Sequence, residues 1–255
     1  MVSKNLPPLS VWEVNLLRLT AFPNPTINFN SQDWWSEVSD ETPETVSQSP
    51  KTGQYRANGP FQSGSLRLDI LPNRIDWIFT VADNNSNPAS TFPTIGILPD
   101  TLGIFTNITK KWFSLNTCPA LQRLAFGAVL FQPSENKETG YNTLSKYLPS
   151  VTIDPIGSSD FHYRINRPRK SQRIDNLEIN RLANWSVLSY NQFMLGINGA
   201  QVKSLPVAIS FGCLLEIDIN SKPDYAEELI PEKAGHLFDE LVALGQEIVA
   251  NGDVK

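Results

Sequence analysis

Six basic side chains are concentrated between Phe161 and Arg181, in a chain whose formal net charge is −5. They are Arg164, Arg167, Arg169, Lys170, Arg173 and Arg181. Only Asp175 and Glu178 oppose them within the same segment. An arginine guanidinium presents a planar fork of N–H groups that binds pairs of carboxylate or phosphate oxygens. The segment therefore predicts a binding site for an anionic partner and carries no signal of catalysis.

Two kinds of partner suit this basic segment. Pro168 is expected to end one strand, so that residues 164–173 form a basic hairpin leading into the next strand. We expect this hairpin to contact a protein, because the acidic chain as a whole does not favour nucleic acid. The alternative is that Arg164–Arg181 binds nucleic acid or a phosphate ligand. The segment lacks the interleaved aromatic side chains on which single-strand binders stack bases.

A second candidate surface follows from the strands that the sequence predicts. If these strands pair as their apolar positions require, their polar positions share one face of a sheet. The residues expected there are Arg67, Asp69, Arg74, Asp76, His162, Arg164, Asn166, Glu178, Asn180, Glu216 and Asp218. Such a face is either a solvated surface of cross-strand ion pairs or a docking surface for another protein.

Catalytic groups are few in this sequence. The cysteines are Cys118 and Cys213, and Cys213 lies on the apolar side of its strand, where a thiol acts as a small hydrophobic group. His236 falls outside the apolar stripe of a predicted helix. An enzyme with a site on the polar sheet face is the third interpretation. Its residues would be His162, Glu178, Glu216 and Asp218.

Metal and nucleotide sites have no sequence signature here. The two histidines lie far apart, and no Cys-x-x-Cys or His-x-x-x-His spacing offers zinc a set of ligands. Neither GxxxxGK[ST] nor GxGxxG occurs, so no phosphate-binding glycine loop is predicted. We expect no cofactor and no metal, and a binding or assembly component instead of an enzyme.

Alternating apolar and polar residues predict seven strands. They cover 11–22, 65–70, 74–79, 122–131, 161–166, 177–190 and 207–219. In the first of them, Val14 and Leu16 share one phase and Leu17 and Leu19 the other, which predicts a bulge near Leu16. The stretch from Asp40 to Pro60 is rich in Ser, Thr, Pro and Gly and is expected to be a loop.

Apolar residues at helical spacing predict the remaining elements. Helices are expected over 99–115, 136–148 and 232–250, with a short one over 32–38. The combination predicts an α+β fold: a mainly antiparallel sheet of about seven strands with helices on one face. Two βαββα halves, 1–118 and 119–255, would share one continuous sheet within a single domain of residues 1–255.

Composition places the chain among ordinary globular proteins. Hydrophobic residues make up 40% and charged residues 18%, which is enough apolar sequence for a core. No apolar run is long enough to span a membrane, and the first residues do not resemble a secretion signal. We therefore expect a soluble cytoplasmic protein that does not bind membranes.

Overall fold

The fold is α+β, and its described residues form one antiparallel sheet of ten strands with four helices. The computed structural model describes residues 6–23, 33–82, 92–198, 201–225 and 227–253, with the main chain alone for 192–198 and 201–208. The strands are β1 (Glu13–Pro23), β2 (Thr45–Ser49), β3 (Gln54–Phe61), β4 (Gly64–Leu71), β5 (Arg74–Thr80), β6 (Leu121–Ser134), β7 (His162–Asn166), β8 (Arg169–Lys170), β9 (Glu178–Asn198) and β10 (Gln201–Ser221). The helices are α1 (Trp34–Ser39), α2 (Leu98–Ser114), α3 (Lys137–Tyr147) and α4 (Pro231–Asn251).

The sheet has the order β2-β3-β4-β5-β1-β6-β10-β9-β7, and β8 pairs with β9 beside β7. Outward from β5, the strands on one side are β4, β3 and β2. Outward from β10, those on the other side are β9 and β7. In each half the first strand pairs with the last strand of that half, β1 with β5 and β6 with β10. The two halves meet where β1 pairs with β6 at the centre of the sheet.

All four helices pack on one face, which we call the covered face. Its strands supply alternate apolar residues, among them Leu68, Trp77, Phe126, Trp185 and Leu215, all almost fully buried. The helices bring aromatic rings into the same core: the Trp77 ring contacts that of Trp112 of α2, and the Trp185 ring stacks on that of Tyr147 of α3. This confirms the predicted one-sided arrangement. The other side of the sheet, which we call the open face, has no described helix on it.

Local sequence explains where the helices begin and end. The Asn136 side chain caps α3 by accepting a hydrogen bond from the Thr139 N–H at 2.8 Å. Pro231 begins α4, where its missing N–H costs nothing. Gly252 ends α4 with φ +71°, and a Cβ there would lie 2.2 Å from the Tyr147 carbonyl oxygen. Only glycine fits that position without strain.

The strand count is higher than predicted, because β2, β3 and β8 were not foreseen. Residues 45–61, expected to be a loop, form β2 and β3 instead. β2 is an exposed edge strand of Thr, Val, Ser and Gln, which leaves no apolar face in the sequence. In β3 the buried positions alternate, but Gly59 and Pro60 hide the pattern. Each half consequently holds more strands than the predicted βαββα order.

Two smaller predictions had different outcomes. The register of β1 against β6 shifts between Val14 and Leu16, which confirms the bulge. Ile165, expected in the core, is only half-buried, because β7 lies at the edge of the sheet. Within the described residues, none of the helices is both long and apolar enough to cross a membrane. That the whole chain is one domain stays a prediction.

Candidate functional site

Three of the six predicted binding residues are paired with carboxylates of α4 and its C-terminal end. Arg169 donates from Nη1 and Nη2 to the two carboxylate oxygens of Glu247, both at 2.8 Å. Arg181 is 2% exposed, and its Nη2 lies 3.4 Å from the same carboxylate. Arg167 donates to Asp253 from Nε at 2.5 Å and from Nη2 at 2.8 Å. These three arginines hold the edge of the sheet to α4.

Asp253 is the most enclosed part of this network. Besides Arg167, it accepts a hydrogen bond from the Tyr163 hydroxyl at 2.7 Å. The hydrogen bonds from Arg167 lower the pKa of Asp253 below its ordinary value, although burial acts in the opposite direction. The same pair raises the pKa of Arg167. Burial is the main cause that lowers the pKa of Arg181 and raises that of Tyr163.

A third carboxylate of α4 fixes the turn that follows β8. Glu240 accepts hydrogen bonds from the Ser171 hydroxyl and from the backbone N–H of Gln172, each at 2.6 Å. Glu240 and Glu247 lie about two helical turns apart and so face the same way. The basic segment is thus bound along α4 by carboxylates of its own chain. In the sequence, this role was indicated by the spacing of Glu240 and Glu247, which places both carboxylates on one side of a predicted helix.

The other three basic residues are exposed and do not form a cluster. Arg164 lies on the open face at the β7 edge, level with Asn184 of β9 and Glu216 of β10. Lys170 lies opposite Glu178, where β8 pairs with β9. Arg173 lies beyond β8, near the turn that leads into β9. The six predicted residues therefore divide into an internal group and separate surface positions.

The open face carries the polar residues that the strand phases predicted. Several of them form ion pairs, as expected for a solvated sheet face. Asp69 of β4 pairs across strands with Arg56 of β3 at 2.5 Å, and within its own strand with Arg67 at 3.0 Å. Asp76 of β5 pairs within its strand with Arg74 at 2.6 Å and accepts a hydrogen bond from the Thr20 hydroxyl of β1 at 2.5 Å. In this part of the face each of the three arginines therefore lies beside a carboxylate.

The part of the open face between β1 and the β7 edge differs, because Arg18 of β1 and Arg164 of β7 have no carboxylate partner among the described side chains. Arg18 and Arg164 border a depression of about 410 Å³. The remaining lining residues are apolar, polar or acidic: Leu16, Gly127, Ala128, Val129, Leu182, Ala183, Asn184, Glu216, Ile217 and Asp218. Glu216 accepts a hydrogen bond from the Asn184 amide at 2.6 Å, and Asp218 accepts one from Asn220 at 2.9 Å.

Arg18 lies flat across a glycine of the neighbouring strand. Its Nε and Nη2 are 3.4 and 3.5 Å from the point that a Cβ of Gly127 would occupy. The Nε–H is buried and has no acceptor among the described residues. Arg18 was not among the residues predicted for the polar face. The available signal was the phase of β1 after the bulge, where Arg18 and Thr20 alternate with Leu17 and Leu19.

An aromatic group lies on the open face near the start of the β9–β10 hairpin. The rings of Phe92 and Phe131 stack with centroids 4.5 Å apart, and Tyr190 meets Phe92 edge-on at 5.7 Å. Gly212 makes room for the Phe131 ring, because a Cβ there would lie 2.4 Å from it. Apolar rings and unpaired arginines are the side chains that most often dominate protein interfaces.

The candidate catalytic residues are not brought into a catalytic arrangement within the described part of the chain. Burial raises the pKa of both Cys118 and Cys213 to about 12, so both are thiols at neutral pH. His162 pairs with Ser186 of β9, whereas Glu178 lies at the far end of that strand, about 26 Å away along it. No group of three His, Cys, Asp or Glu that could hold a metal ion occurs among the described residues.

Comparison with known proteins does not assign the site. No protein-family model matches the chain, and no curated protein is significantly similar to it in sequence. Any functional conclusion therefore depends on the geometry of the open face and of the basic segment.

Proposed function

We propose that this protein is a non-catalytic binding or assembly component that docks a protein partner on its open sheet face. The observation that carries this proposal is the pair of arginines, Arg18 and Arg164, which lack a carboxylate partner within the described residues and lie beside half-buried apolar side chains on that face. Of the predicted basic hairpin 164–173, Arg164 takes part directly. Arg167 and Arg169 serve to hold the neighbouring edge in place.

The dimensions of the open face suit a protein partner. Nine strand positions follow one another across the sheet, with eight spacings of about 4.8 Å, or about 38 Å in total. Strand segments of about seven residues extend about 23 Å in the other direction. The product, about 900 Å², is close to the roughly 800 Å² that each partner contributes to a standard interface.

The chemistry of the face also supports docking. Leu16, Val129 and Leu182 expose apolar surface at the centre, and ion pairs such as Arg67–Asp69 lie toward one side. An apolar centre with a charged rim is the usual anatomy of a specific interface. Burial of the centre would provide affinity, while the rim would select the partner.

The experiment is affinity capture with variants that add a charge at the centre of the open face. Leu182→Glu and Val129→Glu place a further carboxylate beside Asp218 or Glu216 without disturbing the covered face. Ala243→Glu is the matched control, because Ala243 is exposed on α4 on the opposite side of the sheet. We expect the wild-type protein and Ala243→Glu to recover the same polypeptide stoichiometrically, and the two open-face variants to lose it. The partner is then purified, and its direct binding to the four proteins is measured.

Retention of the partner by both open-face variants, or its loss with Ala243→Glu, would contradict the proposal. Recovery of no partner by the wild-type protein would contradict it as well. Melting temperatures of all variants within a few degrees of wild type ensure that the comparison concerns binding.

Binding of nucleic acid or phosphate through Arg164–Arg181 stays a prediction with less support. Three of its six residues already bind carboxylates of the chain, so fewer cations remain for phosphates. If Arg164, Lys170 and Arg173 bind duplex DNA, affinity should fall with salt with a slope of about 0.9 per neutralised phosphate. Submicromolar binding at physiological salt that is abolished by replacing these three residues with Ala would favour this alternative.

A further inference from the structure

Arg18 is the arginine of the open face whose surroundings call most clearly for a ligand. Arg56, Arg67 and Arg74 each lie within 3.0 Å of a carboxylate oxygen. The Nε–H of Arg18 is buried without a hydrogen-bond acceptor, as are those of Arg67 and Arg74, but Arg18 differs from these two in having no ion pair among the described side chains. A buried donor left without an acceptor is costly, and a ligand oxygen that supplies one removes that cost.

We propose that the depression around Arg18 is a carboxylate-binding site, and that it takes an acidic side chain of the protein partner. This inference rests on the proposed docking function and names the chemistry of its central contact. The guanidinium of Arg18 lies over Gly127 and provides the fork. Arg164 borders the same depression from β7 and supplies a second positive charge.

The acidic residues of the depression favour a carboxylate over a phosphate. In the strand register Arg18 lies level with Gly127 and Asp218, and Arg164 lies level with Asn184 and Glu216. Two carboxylates therefore lie between the two arginines. A phosphate group carries close to two negative charges at neutral pH and meets more repulsion there than a carboxylate, which carries one. A nucleic-acid backbone, with a charge at every nucleotide, fits the depression less well still.

The floor of the depression suits the rest of an acidic residue. Leu16, Val129 and Leu182 contribute aliphatic surface below the charged groups. The methylene groups of a glutamate side chain can contact this surface while its carboxylate reaches Arg18. A partner residue with apolar neighbours on an extended segment would use both features.

The test uses the intact protein and three small probes: the N-acetyl α-amide of glutamic acid, the corresponding glutamine compound and inorganic phosphate. Binding is followed by the Nε–H signal of Arg18 in ¹⁵N-labelled protein, assigned by its loss in Arg18→Gln. We expect the glutamate probe to shift this signal saturably with a Kd on the order of 1 mM. The glutamine probe should not shift it, and phosphate should bind more weakly.

Three variants make the result specific to this site. Arg164→Gln should weaken the glutamate probe about threefold or more. Arg18→Lys, which lacks the Nε–H reporter and is followed by the backbone amide signal of Gly127, should weaken it about tenfold. Arg67→Gln, which removes a paired arginine elsewhere on the open face, should leave the Kd unchanged. Failure of the glutamate probe to shift Arg18, equal binding of the glutamine probe, or tighter binding of phosphate would overturn the inference. Binding of the glutamate probe together with unchanged partner capture by Leu182→Glu and Val129→Glu would leave the carboxylate site standing and refute the docking proposal alone.

Discussion

Among the described ion pairs, the most enclosed carboxylate is that of Asp253, with 1% of its side chain exposed. Its charge is stable because Arg167 and Tyr163 donate hydrogen bonds to it. A buried charge with such partners contributes little net stability, but the loss of either partner is expensive. The Arg167–Asp253 pair therefore connects the end of α4 to the end of β7. We expect this connection to weaken at low pH, where Asp253 becomes protonated.

Asp253→Asn should lower the free energy of unfolding by about 2–4 kcal/mol at pH 7, because Arg167 loses a charged acceptor. The folded-state pKa of Asp253 is below its unfolded value. Its contribution is therefore complete above that unfolded value, and it is lost as pH falls through the folded pKa. Denaturant unfolding between pH 3 and pH 7 should show the two proteins converging at the acidic end. Asp239→Asn, which removes an exposed pair between α4 and Lys110 of α2, should cost less than about 1 kcal/mol. A constant difference across the pH range would contradict the assignment.

Two glycines should respond to alanine in opposite directions. Gly252→Ala places a Cβ at φ +71° and against the Tyr147 carbonyl, so we expect a loss of at least about 2 kcal/mol. Gly103 lies on the exposed side of α2, and a methyl group added there would have nothing within 4 Å. Gly103→Ala should therefore raise stability by about 0.5–1 kcal/mol. Thermal unfolding of both variants checks the pair, and equal shifts would show that backbone conformation does not control either site.

At the scale of elements, α4 has two roles: its apolar side fills the core, and its carboxylates bind the basic segment. Leu241 and Phe238 are buried against the sheet, whereas Glu240 and Glu247 reach toward residues 169–172. This second role explains why a dense group of arginines occurs in an acidic protein: three of them bind carboxylates of their own chain and are not available to a partner. It also changes how the basic segment must be tested, since Arg169 cannot be removed without affecting the fold.

Substitutions in and around the basic segment should differ in how much they lower the free energy of unfolding. Glu247→Gln leaves Arg181 buried without its carboxylate and should cost about 3 kcal/mol. Arg169→Ala removes a half-exposed pair and should cost about 1 kcal/mol. The double variant Lys170→Ala, Arg173→Ala should stay within about 0.5 kcal/mol of wild type, because both side chains are exposed. Urea unfolding gives the order, and an equal cost for all three would argue against α4 as the anchor.

Alternation along single strands was enough to predict the central strands and the side of the sheet that the helices cover. Leu66, Trp77 and Ile217 have apolar neighbours two residues away, so their phase is visible in the sequence. Alternation could not reveal β2, because its residues are nearly all exposed. It also could not reveal the pairing of Arg167 with Asp253. That pairing depends on how α4 crosses β7 and β9, which is a property of tertiary packing. Arg18 was not predicted as a site residue for a related reason: its guanidinium lies over Gly127, which belongs to a different strand.

At the scale of the whole molecule, the sheet is continuous across two halves that repeat the same order of pairing. Their junction is the β1–β6 pair together with the contact between α2 and α4. Each half alone would expose a central strand along one edge, with apolar residues such as Leu19 and Phe126 on it. Such an edge favours association with another chain.

Residues 1–118 and 119–255, expressed together as separate chains, should assemble into a one-to-one complex. The reason is that the cut lies outside the strands and helices, while the β1–β6 pairing and the helix contacts remain available. Expressed separately, each piece should aggregate or remain unfolded. Co-purification through a tag on one piece, followed by light scattering, measures the stoichiometry. Two pieces that are each folded and monomeric, without affinity for one another, would indicate two domains.

The position of β1 at the centre of the sheet also governs how a newly synthesised chain can fold. β1 leaves the ribosome before the other described strands, yet Leu16 pairs with Thr80 and Glu13 with Phe131. Contacts between residues so distant in sequence form slowly. After β5 has emerged, one edge of β1 still lacks its neighbour until β6 has been made, and an unpaired apolar strand recruits other chains. The same holds for β6, whose other edge lacks a neighbour until β10 has been made. The nascent protein is therefore most exposed to aggregation in these two intervals, from β5 to β6 and from β6 to β10.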